Sequence, residues 1–139
     1  MADRVLLVER DPRVAAVWRP ILNGNAEWLA DQILCFKPKP EAVFEVLDKE
    51  PESIRELAFQ TILRNRVQRG GIMAPGAGFM REGENGRGLS SRRYPETLAR
   101  RIRAIAHFRE MISFQEGGGM RAIEDLERQD KVAFFIDPP

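Results

Sequence analysis

The chain has 139 residues, 43% hydrophobic and 31% charged, with a net charge of +1. That is room for one compact domain and too polar for a membrane protein, since no run approaches the roughly 20 apolar residues that span a bilayer. A single cysteine (Cys35) and a single histidine (His107) exclude an intramolecular disulfide and, in effect, a Cys/His zinc site, so no metal centre is expected. The N-terminus, Met1-Ala2-Asp3-Arg4-Val5, lacks the charged and apolar regions of a secretory signal, so a cytoplasmic protein is the simplest expectation.

The continuous apolar run Arg4-Val5-Leu6-Leu7-Val8 predicts a strand buried on both faces. Glu9 ends it. Asp11-Pro12 then supplies an N-cap and a first-turn proline for a helix to Leu22. Asn23-Gly24-Asn25 breaks the pattern, and Ala26 to Phe36 predicts an amphipathic helix through Trp28, Leu29, Ile33 and Leu34, closed by Pro38 and Pro40. Glu41 to Asp48 predicts a short helix. Glu52 to Arg69 predicts a longer one, with Ile54, Leu57, Ala58, Ile62 and Leu63 on one face.

From Gly70 to Arg93 periodicity vanishes and glycine accumulates, which predicts a long loop with a possible hairpin at Asn85-Gly86. Pro95 restarts a helix to about Arg109, its inner stripe being Leu98, Ile102, Ile105 and Ala106. Ile112 to Gln115 predicts a strand, Gly117-Gly118-Gly119 a turn, Met120 to Arg128 a helix and Val132 to Ile136 a final buried strand. Helices alternating with short strands imply an α/β fold with a parallel sheet. Three strands are few for such a sheet, so the segment is expected to be part of a larger domain. Cys35 and His107 both fall in helical patterns, where a small buried thiol and a boundary imidazole are the expected roles.

Three features bear on chemistry, each with a bland counterpart. Glu9, after a strand and before a capped helix, sits where doubly wound folds place an acid on ribose hydroxyls, or it simply caps the helix. Arginines crowd the segment from Arg64 to Arg109, opposed there by Glu82, Glu84 and Glu96 alone, which favours phosphate or describes a solvated helix face. The ending Val132-Ala133-Phe134-Phe135-Ile136-Asp137-Pro138-Pro139 carries an acid and two donor-less prolines to a strand tip, which suits an amino group or is a plain strand-ending turn.

The order of Leu-Val-Glu-Arg-Asp-Pro (7 to 12), Arg-Asn-Arg-Val-Gln-Arg-Gly-Gly (64 to 71), Tyr-Pro-Glu-Thr-Leu (94 to 98) and Phe-Phe-Ile-Asp-Pro-Pro (134 to 139) resembles the D12 class of DNA adenine N6-methyltransferases, the class of the Dam methylases. The resemblance implies an incomplete Rossmann-like, S-adenosylmethionine-dependent methyltransferase domain over 1–139, with 23–109 as a helical, DNA-contacting insertion. It implies that Glu9 holds the cofactor's ribose. Asp137 with Pro138 would accept the hydrogens of the adenine amino group, with Pro139 the next residue of the catalytic motif and Asp137 lying beside the cofactor. Asn65, Arg66 and Arg69 would contact DNA, joined by Arg87 from the glycine-rich loop.

On the same resemblance the family's Phe-x-Gly-Gly cofactor loop would lie before Met1, and the aromatic residue that stacks on a flipped base would lie after Pro139. Negligible methyl transfer by the chain alone is therefore expected. The alternative is a non-catalytic DNA-binding remnant of such an enzyme. DNA is the expected partner in either case, with no membrane and no metal.

Overall fold

The computed structural model describes residues 3–71, 73, 78–79, 88–90 and 92–137. Its order is β1 (Val5–Glu9), α1 (Pro12–Leu22), α2 (Ala26–Cys35), α3 (Pro40–Asp48), α4 (Ile54–Val67), α5 (Pro95–His107), β2 (Ile112–Glu116) and α6 (Gly119–Leu126). The fold is mixed α/β, mostly helical, with one two-stranded sheet among the described residues. β1 and β2 run parallel, in register from Val5 opposite Ile112 to Glu9 opposite Glu116.

Local chemistry accounts for the helix boundaries. The Asp11 carboxylate accepts from the backbone N–H groups of Arg13 (2.8 Å) and Val14 (3.4 Å), and Pro12 occupies the first turn, so α1 starts where its unpaired donors are met. Ser53 caps α4 by accepting from the Glu56 N–H, while the Glu56 carboxylate accepts from the Glu52 N–H at 2.8 Å.

The core lies among helices. Leu29, Ala30 and Ile33 of α2, Val43 and Leu47 of α3, Ala58, Phe59, Leu63 and Val67 of α4, and Ala99 and Ile102 of α5 form one buried cluster that begins at Ile21 of α1. Phe36 meets Phe59 edge to face at 5.4 Å. The α4 sequence places apolar residues on more than one side, which fits its packing against α1, α2 and α3 together.

Buried polar groups do defined work inside this core. Gln60, only 7% exposed, donates through its amide to the carbonyls of Val46 (2.8 Å) and Lys49 (2.7 Å), and Arg64 donates to the Leu47 carbonyl (2.8 Å). Those carbonyls belong to the end of α3, whose last turn has no intrahelical partners for them. Just ahead of α5, the Arg93 guanidinium donates to the Ile33 carbonyl in the last turn of α2.

Three expectations are corrected. The run Val5–Val8 is not buried on both faces: Val5 and Leu6 are each 40% exposed, because the sheet has two strands and is only partly covered by α1 and α6. Residues 132–136 form no strand, with Phe135 95% exposed and Ile136 65% exposed. Apolar, β-branched composition is not enough there, because a strand also needs a neighbour to take up its backbone hydrogen bonds. Cys35 is exposed at the end of α2 rather than buried. The expected hairpin at Asn85-Gly86 lies outside the described residues; of the long loop, Phe79 pairs antiparallel with Gln68 and packs edge to face on Phe44 at 5.1 Å.

Replacement of Gln60 by alanine leaves two carbonyls at the α3 terminus without donors. A loss of about 1–3 kcal/mol is expected in urea unfolding, whereas a change below about 0.5 kcal/mol, the range of ordinary surface substitutions, would contradict the capping role.

Candidate functional site

Two acids gather at the carboxyl ends of the parallel strands. Glu9 lies opposite Glu116 in the register, and the Glu9 carbonyl accepts from the Gly117 N–H at 2.8 Å, which locks the two tips together. One Glu9 carboxylate oxygen accepts from the Asp11 N–H at 2.8 Å, so the side chain braces the turn into α1. Among the described residues the other oxygen has no partner and can accept hydroxyl hydrogens, as a ribose diol would require. Glu116 is taken up by Arg19 of α1 at 2.6 Å, in an exposed ion pair that contributes about 0–1 kcal/mol. The half-buried Glu9 therefore both caps a turn and offers a free acceptor.

Asp137 is placed differently. It is exposed at the end of the segment 132–137, which has no regular secondary structure, with no hydrogen bond or ion pair among the described residues, and nothing described joins it to Glu9. Pro138, Pro139 and Arg87 lie outside the described residues.

Asn65, Arg66 and Arg69 do cluster at the end of α4, but each has its own setting. The Asn65 amide donates to the Gly71 carbonyl at 3.1 Å. Gly71 has φ +73°, and a methyl group there would stand 3.2 Å from the Asn65 Nδ2 and 3.6 Å from a guanidinium nitrogen of Arg92. Arg69 is exposed, its backbone N–H donating to the Gly78 carbonyl at 2.9 Å. Arg66 is half-buried, and its Nε is buried without an acceptor. Burial, with Arg92 and Arg101 close by, lowers the pKa of its guanidinium from the ordinary value.

The arginines thus sort into two groups. Arg64 and Arg93 end neighbouring helices, Arg103 pairs with Glu27 (2.8 Å) and Asp31 (3.2 Å), Arg19 pairs with Glu116, and Arg55 lies 4.8 Å above the Trp28 ring. Arg66, Arg69, Arg92, Arg100 and Arg101 form no ion pair among the described residues. The sequence places Arg92 and Arg101 in the arginine-rich segment but does not single them out as DNA contacts. A signal was available, because Arg92 and Arg93 stand just ahead of the α5 N-terminus, where the helix dipole disfavours positive charge. His107, the one histidine, is exposed and meets only the ring of Phe108, edge to face at 5.2 Å. Among the described residues no group of three His, Cys, Asp or Glu side chains could hold a metal ion, and no helix is long and apolar enough to cross a membrane.

Comparison with family models, with curated proteins and with solved structures returns no match to this chain.

Gly71→Ala tests the packing at the α4 end. Left-handed backbone and the crowding of Asn65 are expected to cost about 1–2 kcal/mol in denaturant unfolding, and an unchanged midpoint would show that Asn65 and Arg92 are not held against Gly71 as described.

Proposed function

We propose that this chain carries part of a site for S-adenosylmethionine-dependent N6-methylation of adenine in DNA. The observation that carries the reading is the unit β1–Glu9–α1 beside the parallel β2, with one Glu9 oxygen left free at the strand tip. A strand, an acid and a capped helix in that order suit a nucleoside at the carboxyl edge of a sheet. The ending Phe134-Phe135-Ile136-Asp137-Pro138-Pro139 supports the same reading from the sequence side.

In this reading Glu9 accepts the ribose hydroxyls of the cofactor, which supplies an electrophilic methyl group when bound. The Asp137 carboxylate and the Pro138 carbonyl accept the two hydrogens of the adenine amino group, which orients its nitrogen toward the methyl donor. Asp137 is exposed and has no hydrogen bond or ion pair among the described residues, which supports the expectation of negligible methyl transfer by the chain alone. A DNA-binding remnant without methyl transfer is the second reading, and the arginines without ion pairs favour it.

Cofactor binding separates the two. Titration of the 15N-labelled chain with S-adenosylmethionine is expected to move the amide signals of Glu9, Arg10, Glu116 and Gly117, and Glu9→Gln is expected to weaken binding about tenfold, the loss of one charge-assisted hydrogen bond. ATP serves as the control nucleotide. Shifts at the strand tips that are absent, or that survive Glu9→Gln unchanged, would remove the methyltransferase reading and leave the DNA-binding one.

A further inference from the structure

The guanidinium of Arg66, in the last turn of α4, lies within electrostatic reach of Arg92, just ahead of α5, and of Arg101 on α5, and none of the three forms an ion pair among the described residues. Such an arrangement is unfavourable in the free protein, because each like charge raises the cost of its neighbours. Donation to the end of a neighbouring helix, here the Leu47 carbonyl of α3, accounts for Arg64. It does not account for Arg66. That side chain is half-buried, and its Nε is turned away from solvent with no acceptor among the described residues. A guanidinium nitrogen of Arg92 and the Nδ2 of Asn65 lie 3.6 Å and 3.2 Å from where a methyl group on Gly71 would stand.

We propose that Arg66, Arg92 and Arg101 together bind one phosphate group, taken from the backbone of a nucleic acid. The inference deepens the nucleic-acid half of the reading above and does not depend on methyl transfer. A carboxylate presents one edge to one guanidinium fork, whereas the tetrahedral oxygens of a phosphate offer acceptors to several at once, and a half-buried, unpaired Nε suits such an acceptor. Arg69 and Arg100, on the same two segments and also without ion pairs, favour a polyanion over a small phosphorylated metabolite.

The test uses the full chain, the double variant Arg92→Gln/Arg101→Gln, and Arg128→Gln as a control at an arginine whose side chain is 93% exposed. Thermal unfolding is followed in inorganic phosphate and in chloride at matched ionic strength. Phosphate is expected to raise the midpoint of the wild type and of Arg128→Gln beyond that of the double variant, since a ligand of the folded state alone stabilises it. Removal of two like charges is expected to leave the double variant at least as stable as wild type in chloride, which separates loss of a site from loss of folding.

Fluorescence anisotropy with a labelled DNA duplex across a salt series is then expected to show the slope of log affinity against log salt falling by about 1 in the double variant. A phosphate response lost in the double variant with an unchanged DNA slope would keep the site and assign it to a free phosphate instead of the backbone. The same phosphate response in all three proteins would overturn the site, whatever the DNA result. Undetectable DNA binding by the wild type at low salt would overturn the nucleic-acid reading, while a retained phosphate response would leave the site standing.

Discussion

The amide of Gln60 reaches from the middle of α4 to two carbonyls at the end of α3, and Arg64, one turn further on, donates to a third. Around these polar contacts α4 buries Ala58, Phe59, Leu63 and Val67, so one helix both seats the apolar core and ends its neighbour. Each fully buried large side chain of this kind contributes about 1.5–3 kcal/mol. Everything else is attached to that layer. α1 joins it through Ile21, and β1 follows only because Asp11 and Pro12 fix how the chain leaves the strand. The sheet itself has two partly exposed strands, and a pair of strands alone is marginal in water.

Chemistry divides along the same line. The acids of interest, Glu9 and Glu116, stand at the tips of the thinly covered strands, while the arginines of interest stand on the helical layer. Within that layer, arginine serves two purposes that composition cannot separate. Arg64 and Arg93 complete helix ends, and their loss would be felt in folding. Arg66 and Arg92 complete no helix end among the described residues, which is why a ligand is proposed for them.

Much of the layout is legible in the residues. Asp11-Pro12, Asn23-Gly24-Asn25 and Pro95 punctuate the chain strongly enough that the starts of α1, α2 and α5 fall within a residue or two of where capping and proline rules place them. The two strands Val5–Glu9 and Ile112–Glu116 and their parallel pairing follow from short apolar runs separated by helices. What periodicity cannot report is what lies beside a strand. Val5–Glu9 and Val132–Ile136 look alike as apolar runs, yet one is paired and the other is not, because pairing depends on a neighbour that local sequence does not specify. Cys35 shows the same limit on a helix, where two residues beyond the buried Ile33 the side chain already faces solvent. Charge was legible as a surplus near α4 and α5; its division into helix-ending and unpaired arginines is set by contacts between residues as distant as Ile33 and Arg93.

The central claim is that a helical layer organised by α4 is the stable unit and that the strands bearing the acids are held to it more loosely. Amide hydrogen exchange of the intact chain tests this most directly. The account predicts that amides in the middle of α4 and in α2 exchange about two orders of magnitude more slowly than those of β1 and β2, because the strands open without unfolding the helices. Equal protection of β1 and α4, with both opening only in a single global event, would contradict it.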